Sequence, residues 1–452
     1  MVRRHRIAAV GMLCALLLLL AVVWNLVIPH PDPGVEALRR QGLPVTLPEL
    51  NAWYAPVPPA ENTAMICSEA FAQASFNSTT SGAAEPALDT AALPARGCKF
   101  APENKKELIA LLAKNQEELR LLYSVPAGRR SRYPVDLNQG FTTLLPHLAK
   151  VKRAMLLLTA EATLHAENGE RDKAVGSLVA AGCVADSLRD EPLIISQLVR
   201  FACDGILVSR LERVINLTDL ADAQLESLQR VCQQAEHPPG LFRGMVGEQA
   251  IGISFFTNPR AQVALFRGQQ AGAGAGQANR VQEMLGLSVL KTLGIFRRDK
   301  EFFMQVMATN IAVAKLPFPD RFERGQEADK SLSSRPGRFC IFSRMLLPAL
   351  SRAFLKDADH TAQLRVARTA LALERFRLAH NGMLPARFDE LVPAYLPDPV
   401  SDPVDGQPLR FKALARGYVV WSVGSDGKDD GGRERNPKNA STSCDITFIV
   451  ER

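Results

Sequence analysis

The pattern of apolar and polar positions opens with an unbroken apolar run from Ile7 to Ile28, 22 positions without a charge and with Asn25 as the strongly polar exception. A helix of that length extends about 33 Å, enough to cross the hydrocarbon core of a bilayer. Arg3, Arg4 and Arg6 flank its N-terminal side, so the positive-inside rule leaves the N-terminus in the cytoplasm and sends the rest of the chain outward. Trp24 falls where an aromatic interfacial anchor belongs. A cleaved signal peptide is the competing reading; against it, the run is long for a signal sequence and no A-x-A-like site precedes His30-Pro31-Asp32-Pro33. Cys14 follows Gly11-Met12-Leu13, which is unlike a lipobox. The expectation is a single uncleaved anchor, residues 1–28.

Beyond it, proline density over 29–60 predicts a stalk with one short helix at Val35–Gln41. Helical spacing then recurs at Glu61–Phe76 and Glu103–Tyr123, the latter with a stripe of Leu108, Leu111, Leu112, Leu119 and Leu122, across a small-residue loop at Asn77–Gly97. Leu148–Glu167 ends at Asn168-Gly169, a helix stop, and Asp172 begins a partner running to Leu188. So short a break implies an antiparallel pair. Further helices are predicted from Pro192 to Ile215 and from Asp222 to Ala235. The connector Gly169-Glu170-Arg171-Asp172-Lys173-Ala174 resembles a tetratricopeptide-type hairpin, although the period of about 34 residues does not recur. Such pairs more often present a protein-binding groove than chemistry. Residues Leu241–Phe354 continue helical around Gly268–Gly276, a tract with no side chain suited to a core.

Composition narrows the function classes. The chain has 452 residues, 47% hydrophobic and 22% charged, an ordinary globular balance. Its formal charge is +7, and setting aside the three arginines before the apolar run leaves +4, too little to argue for nucleic acid. Apart from Cys14, the cysteines (Cys67, Cys98, Cys183, Cys203, Cys232, Cys340, Cys444) are never spaced C-x-x-C, which argues against zinc ribbons and thioredoxin-type sites. Cys67 with Cys98 is the simplest disulfide pair for an exported domain; buried free thiols are the alternative.

From about Asp357 the pattern changes. A helix carrying Leu364, Ala367, Leu371, Phe376 and Leu378 stops at Asn381-Gly382, and Leu409–Ala413, Tyr418–Val423 and Ile446–Val450 read as short strands. Gly382-Met383-Leu384-Pro385, Leu391-Val392-Pro393, Tyr395-Leu396, Asp402-Pro403, Gly406-Gln407-Pro408-Leu409-Arg410-Phe411 and the run Tyr418 to Gly427 occur in an order that resembles the globular end of type II secretion major pseudopilins. The prepilin-peptidase signature of that family is missing around Ile7, so fibre assembly does not follow. The whole chain also resembles membrane-anchored bacterial envelope proteins, which implies an inner-membrane, single-pass location with the bulk of the chain periplasmic. The pseudopilin resemblance implies calcium in the C-terminal loop. Here Ser425 to Gly432 supplies Asp426, Asp429 and Asp430, and Asp445 matches the closing ligand. Hard carboxylates on a glycine-rich backbone suit a calcium shell; a solvated Gly/Asp turn is the alternative.

Catalytic signatures are scarce. H-E-x-x-H, G-x-S-x-G and Walker loops do not occur in the sequence; Ser288-Val289-Leu290-Lys291 matches S-x-x-K without its companion motifs, and His165-Ala166-Glu167 matches H-x-E without P-C-x-x-C. His147 and His380 flank helix ends, where capping or solvation is the default. The expected architecture is mainly α, with a transmembrane helix, a stalk at 29–60, a repeat-like helical-hairpin body at 61–356 and a small α+β module at 357–452. The expected role is a non-enzymatic, membrane-anchored envelope protein that scaffolds or binds envelope or secretion proteins, with an exported hydrolase as the alternative.

Overall fold

The computed structural model describes residues 32–74, 88, 94–236, 240–257, 295–334, 341–434 and 445–452. The expected span, the Gly268–Gly276 tract, Ser288–Lys291, Cys340 and Cys444 lie outside the described residues. Among those described, no helix is long and apolar enough to cross a membrane. They form thirteen α-helices and one three-stranded antiparallel sheet, so the chain is mainly helical.

Helix α1 (Pro33–Arg40) starts at Asp32, whose carboxylate accepts the Gly34 and Val35 N–H groups, and α2 (Leu47–Trp53) starts at Thr46, which accepts from Glu49. Proline at the first turn suits both, because an N–H there has no partner to lose. Leu38, Leu43 and Val45 are buried in a cluster with Ile194, Leu241, Phe255, Phe303 and Met307. From Asp32 onward, then, the expected stalk is packed against the body. Pro33, Pro48 and Pro59 stand in the first turns of helices instead of extending the chain.

Helix α3 (Thr63–Gln73) is capped by Asn62, which also accepts the Arg132 N–H. The helix expected over 103–123 divides into α4 (Pro102–Lys114) and α5 (Gln116–Tyr123) at Asn115, where φ −111° and ψ 23° leave the helical basin and the side chain donates to the Leu111 carbonyl. Helices α6 (Pro146–Glu167) and α7 (Arg171–Asp186) form the expected antiparallel hairpin, followed by α8 (Ile194–Leu217), α9 (Asp222–Glu236) and α10 (Gly240–Thr257). Helix α8 packs against α6, α7 and α10. Helix α10 comes close to the chain entering α8: a β-carbon on Gly244 would stand 3.0 Å from the Ile194 Cα, and one on Gly247 would overlap the Pro192 carbonyl oxygen.

After α11 (Ile295–Ala314) and α12 (Asp320–Ser334), α13 runs unbroken for 39 residues from Ile341 to Ala379. The boundary expected at 357 therefore falls inside a helix. Strands β1 (Arg410–Ala413), β2 (Tyr418–Ser422) and β3 (Ile446–Val450) pair in the order β1-β2-β3, with Arg410 opposite Trp421 and Tyr418 opposite Val450. Gly417, in the β1–β2 turn, has φ 81°, and a β-carbon there would overlap the Val450 carbonyl. One face of the sheet shares a core with the body: Tyr418, Val420, Phe448 and Val450 cluster with Leu364 and Leu371 of α13 and with Leu178 and Leu207. Tyr418 donates to the Ala370 carbonyl at 2.9 Å, and Asn216 of α8 donates to Ile449 at 2.8 Å. The C-terminal module is thus welded to the helices along α13.

The close approach of α10 gives a sharp test. Gly247→Ala is expected to destabilise the protein by about 3 kcal/mol, because the obstacle is backbone and cannot rotate away. Gly176→Ala in α7, whose β-carbon would meet only Tyr123 at 3.9 Å, is expected to be neutral or to gain up to about 1 kcal/mol of helix propensity. Urea unfolding monitored by circular dichroism compares the two; equal midpoints would refute the packing constraint.

Candidate functional site

Among the described residues, two places bear on function. The first is a narrow cleft, part of it open to solvent, between the Ala127–Gly128 turn, Val179, Cys183 and Asp186 of α7, Arg200 and Asp204 of α8, and Val231, Gln234 and Ala235 of α9. Helix packing alone explains its apolar floor. Its charges need another account.

Arg200 is 1% exposed. Its Nε donates to Gln197 at 3.2 Å and its Nη1 to the Ala235 carbonyl at 3.2 Å, and among the described residues it has no carboxylate ion pair. Gln197 can offer only its oxygen, because its Nε2 already donates to the Leu188, Arg189 and Glu191 carbonyls. Asp186 holds Arg189 at 3.4 Å through Oδ2, while its Oδ1 is buried with no hydrogen-bond partner. Burial pushes the Asp186 carboxyl up to about 6; Arg189 and Arg200 oppose this, and the like charges of Asp204 and Asp190 add to it. Asp204 accepts from His360 Nε2 of α13 at 2.8 Å, and the His360 ring stacks on Phe201 at 4.3 Å. Burial raises the Cys183 thiol to about 11, so this cysteine is a poor nucleophile at neutral pH. The cleft therefore joins a buried guanidinium and an unsatisfied carboxylate oxygen that do not reach each other. A group carrying both an acceptor and a donor would satisfy them together.

A neighbouring cluster is arranged for support. His147, expected at a solvated or capping position, is buried, stacks on Tyr133 at 4.2 Å and bonds Glu191 at 3.0 Å. Ser196 donates to the same carboxylate at 2.5 Å. Histidine and serine both face the acid and not each other, the wrong order for a base-activated nucleophile. His165 of the H-x-E match contacts Glu170 at 2.6 Å, and His380 bonds the Phe376 carbonyl at 2.8 Å. Cys67 is a buried free thiol and Cys98 an exposed one, so the expected disulfide pair is not made.

The second place is the acidic loop. Asp426 accepts the Lys428 N–H at 3.1 Å. Asp429 accepts from Trp421 Nε1 at 2.9 Å and the Gly431 N–H at 3.0 Å, donors that hold its carboxyl below the usual range. Asp445 accepts from the Asp430 and Gly432 N–H groups at 3.2 and 2.7 Å, and burial nevertheless raises its carboxyl. Asp430 is exposed. Arg410 stands among Asp402 at 2.8 Å, Asp405, and Asp429 at 3.4 Å. Asp402, fully buried, also accepts from Ser422 and the Val404 and Val423 amides. The four carboxylates suit calcium by chemistry, but in this geometry N–H donors and Arg410 already serve Asp429 and Asp445, and the ion would have to displace them.

The sequence reading missed Arg200, Asp186, Asp204 and His360. One signal was present: Arg200 and Asp204 are a charged pair one turn apart in a strongly apolar helix. The chain matches no family model, no curated protein and no solved structure.

Asp186 supplies a pH test. Its carboxyl titrates near 6 in the folded protein against 3.8 ordinarily, so the folded state holds this proton more tightly. Its contribution is full below pH 4 and is lost as pH rises through 6. Asp186→Asn is accordingly expected to raise stability at pH 7.5 by about 1–3 kcal/mol and to have little effect near pH 4. Denaturant unfolding at both pH values reads this out; a penalty at pH 7.5 would show the ionised carboxylate to be supported.

Proposed function

We propose that this chain is a non-enzymatic envelope protein, anchored in the bacterial inner membrane by residues 7–28, whose periplasmic helical body holds a partner protein. The observation that carries this reading is the cleft between the helix pairs, where Arg200 and Asp186 lack each other and a small polar side chain would bridge them. Apolar walls from Val179, Val231 and Ala235 would bury the stem of such a side chain. The pseudopilin-like run from Gly382 to Gly427 supports secretion machinery as the class of partner.

A photoreactive amino acid at Gln234, which lines the cleft, is expected to give one discrete protein adduct in intact membranes, while the same probe at exposed Lys412 gives none. Absence of an adduct, together with turnover of an ester or peptidoglycan panel by the purified protein, would reverse the assignment in favour of an exported hydrolase.

Calcium belongs to this reading as a stiffening ligand of the C-terminal loop, held by Asp426, Asp429, Asp430 and Asp445. Calorimetric titration of the intact chain with calcium is expected to show binding that weakens at least tenfold in Asp426→Ala. An equal response in both proteins would remove the ion from the account.

A further inference from the structure

We propose that the end of the body carrying Phe141 and Leu144 rests on the anionic bilayer surface from which the chain emerges, an inference that relies on residues 7–28 being the membrane anchor. Leu144 is 79% exposed, the most exposed of the large apolar side chains among the described residues, and Phe141 beside it is 42% exposed. Single exposed apolar residues are common and by themselves mean little. Their place in the fold is what distinguishes these two.

Only Pro29, His30 and Pro31 separate Ile28 from Asp32. Fully extended, that link covers at most about 14 Å. Asp32 is no free tether. Its carboxylate binds Lys300 of α11 at 2.8 Å while capping α1, and Leu38 of α1 is buried in the cluster that contains Phe255, Phe256, Phe303 and Met304. The Phe141 ring meets Phe255 edge-on at 5.9 Å, Phe255 meets Phe256 at 5.6 Å, and Phe256 meets Phe303 at 5.6 Å. From the other side, Arg39 of α1 binds Glu49 of α2 at 3.0 Å, and Leu47 of α2 lies against Gly140. The exit point of the anchor and the Phe141–Leu144 segment are thus joined twice, through one aromatic relay and through α2. The short link holds the exit point near the lipid headgroups, and these contacts tie the Phe141–Leu144 segment to it.

The charges at this end fit the same occupant. Glu36 and Glu49 are occupied by Arg39, Glu301 lies 3.8 Å from Arg297, and Asp136, the exposed carboxylate five positions before Phe141, accepts from Asn138 and Gln139. Arg40 and Arg298 are exposed and, among the described residues, have no carboxylate partner. Exposed apolar tips, together with guanidinium groups on α1 and α11 that have no carboxylate partner among the described residues, match the boundary between acyl chains and lipid phosphates. A second copy of the chain would have to fit its own positive charges against these.

The test uses the full chain reconstituted in phosphatidylethanolamine–phosphatidylglycerol vesicles, with benzoylphenylalanine placed at position 144 or, for comparison, at Leu378 near the end of α13. Mass spectrometry is expected to show phospholipid adducts at least tenfold more abundant from position 144. The double variant Arg40→Glu, Arg298→Glu should lower the yield at 144 several-fold in these vesicles and not in pure phosphatidylcholine. Chain–chain adducts, or equal lipid labelling at 144 and 378 in a carbonate-resistant, embedded protein, would overturn the apposition alone. Release of the chain from vesicles by carbonate would instead overturn the anchor and the apposition with it.

Discussion

The connection between α7 and α8 is the constraint on which the arrangement turns. Seven residues, Ser187 to Leu193, reverse the chain, and Leu188, Glu191, Pro192 and Leu193 among them are buried, where a carbonyl has little water to accept from. Gln197 resolves this by donating to three of those carbonyls, and Glu191 is held between His147 and Ser196. Each buried polar group left unmet would cost about 1–3 kcal/mol, so the set stands or falls together. Helix α10 then closes over Pro192 and Ile194, an approach open only to glycine at positions 244 and 247. With its amide so committed, Gln197 turns its oxygen to Arg200. The cation of the cleft is placed by the device that satisfies the turn.

A similar economy governs the C-terminal part. Asp402 is fully buried and gathers two amides, a hydroxyl and Arg410; Arg410 in turn faces Asp405 and Asp429 of the loops around it. This internal cation orders the acidic surroundings of the sheet. Helix α13 carries that order into the body, with Arg365 bound to Glu236 of α9 on one side and Tyr418 bound to its own Ala370 carbonyl on the other. The polar groups of the sheet and of the helical body are therefore not independent.

Local signals in the chain foretold much of the helical framework. Asn168-Gly169 marks the hairpin, the apolar periods on either side give α6 and α7, and the short runs Leu409–Ala413 and Tyr418–Val423 give β1 and β2. Density of proline misled over 29–60, because proline in a first turn and proline in an extended stalk look alike without knowing where Leu38 and Val45 are buried. The change of pattern at Asp357 suggested a boundary, yet α13 continues through it because its upstream residues Ala353 and Phe354 are buried in a neighbouring cluster. Asn115 broke a helix whose leucine stripe runs on undisturbed, since a single side chain competing for the Leu111 carbonyl is invisible to periodicity.

What the amino-acid sequence determined by itself is whatever depends on neighbours a few positions apart: the apolar run, the helix periods, the stops and turns, and the acidic loop as a local cluster. The cleft was decided only in three dimensions. Asp204 and His360 are 156 positions apart, and Arg200 owes its isolation to burial that no local pattern encodes. Spacing announces a helix because the backbone repeats, whereas a charge's partner, or its lack of one, depends on which distant segments exclude water from it.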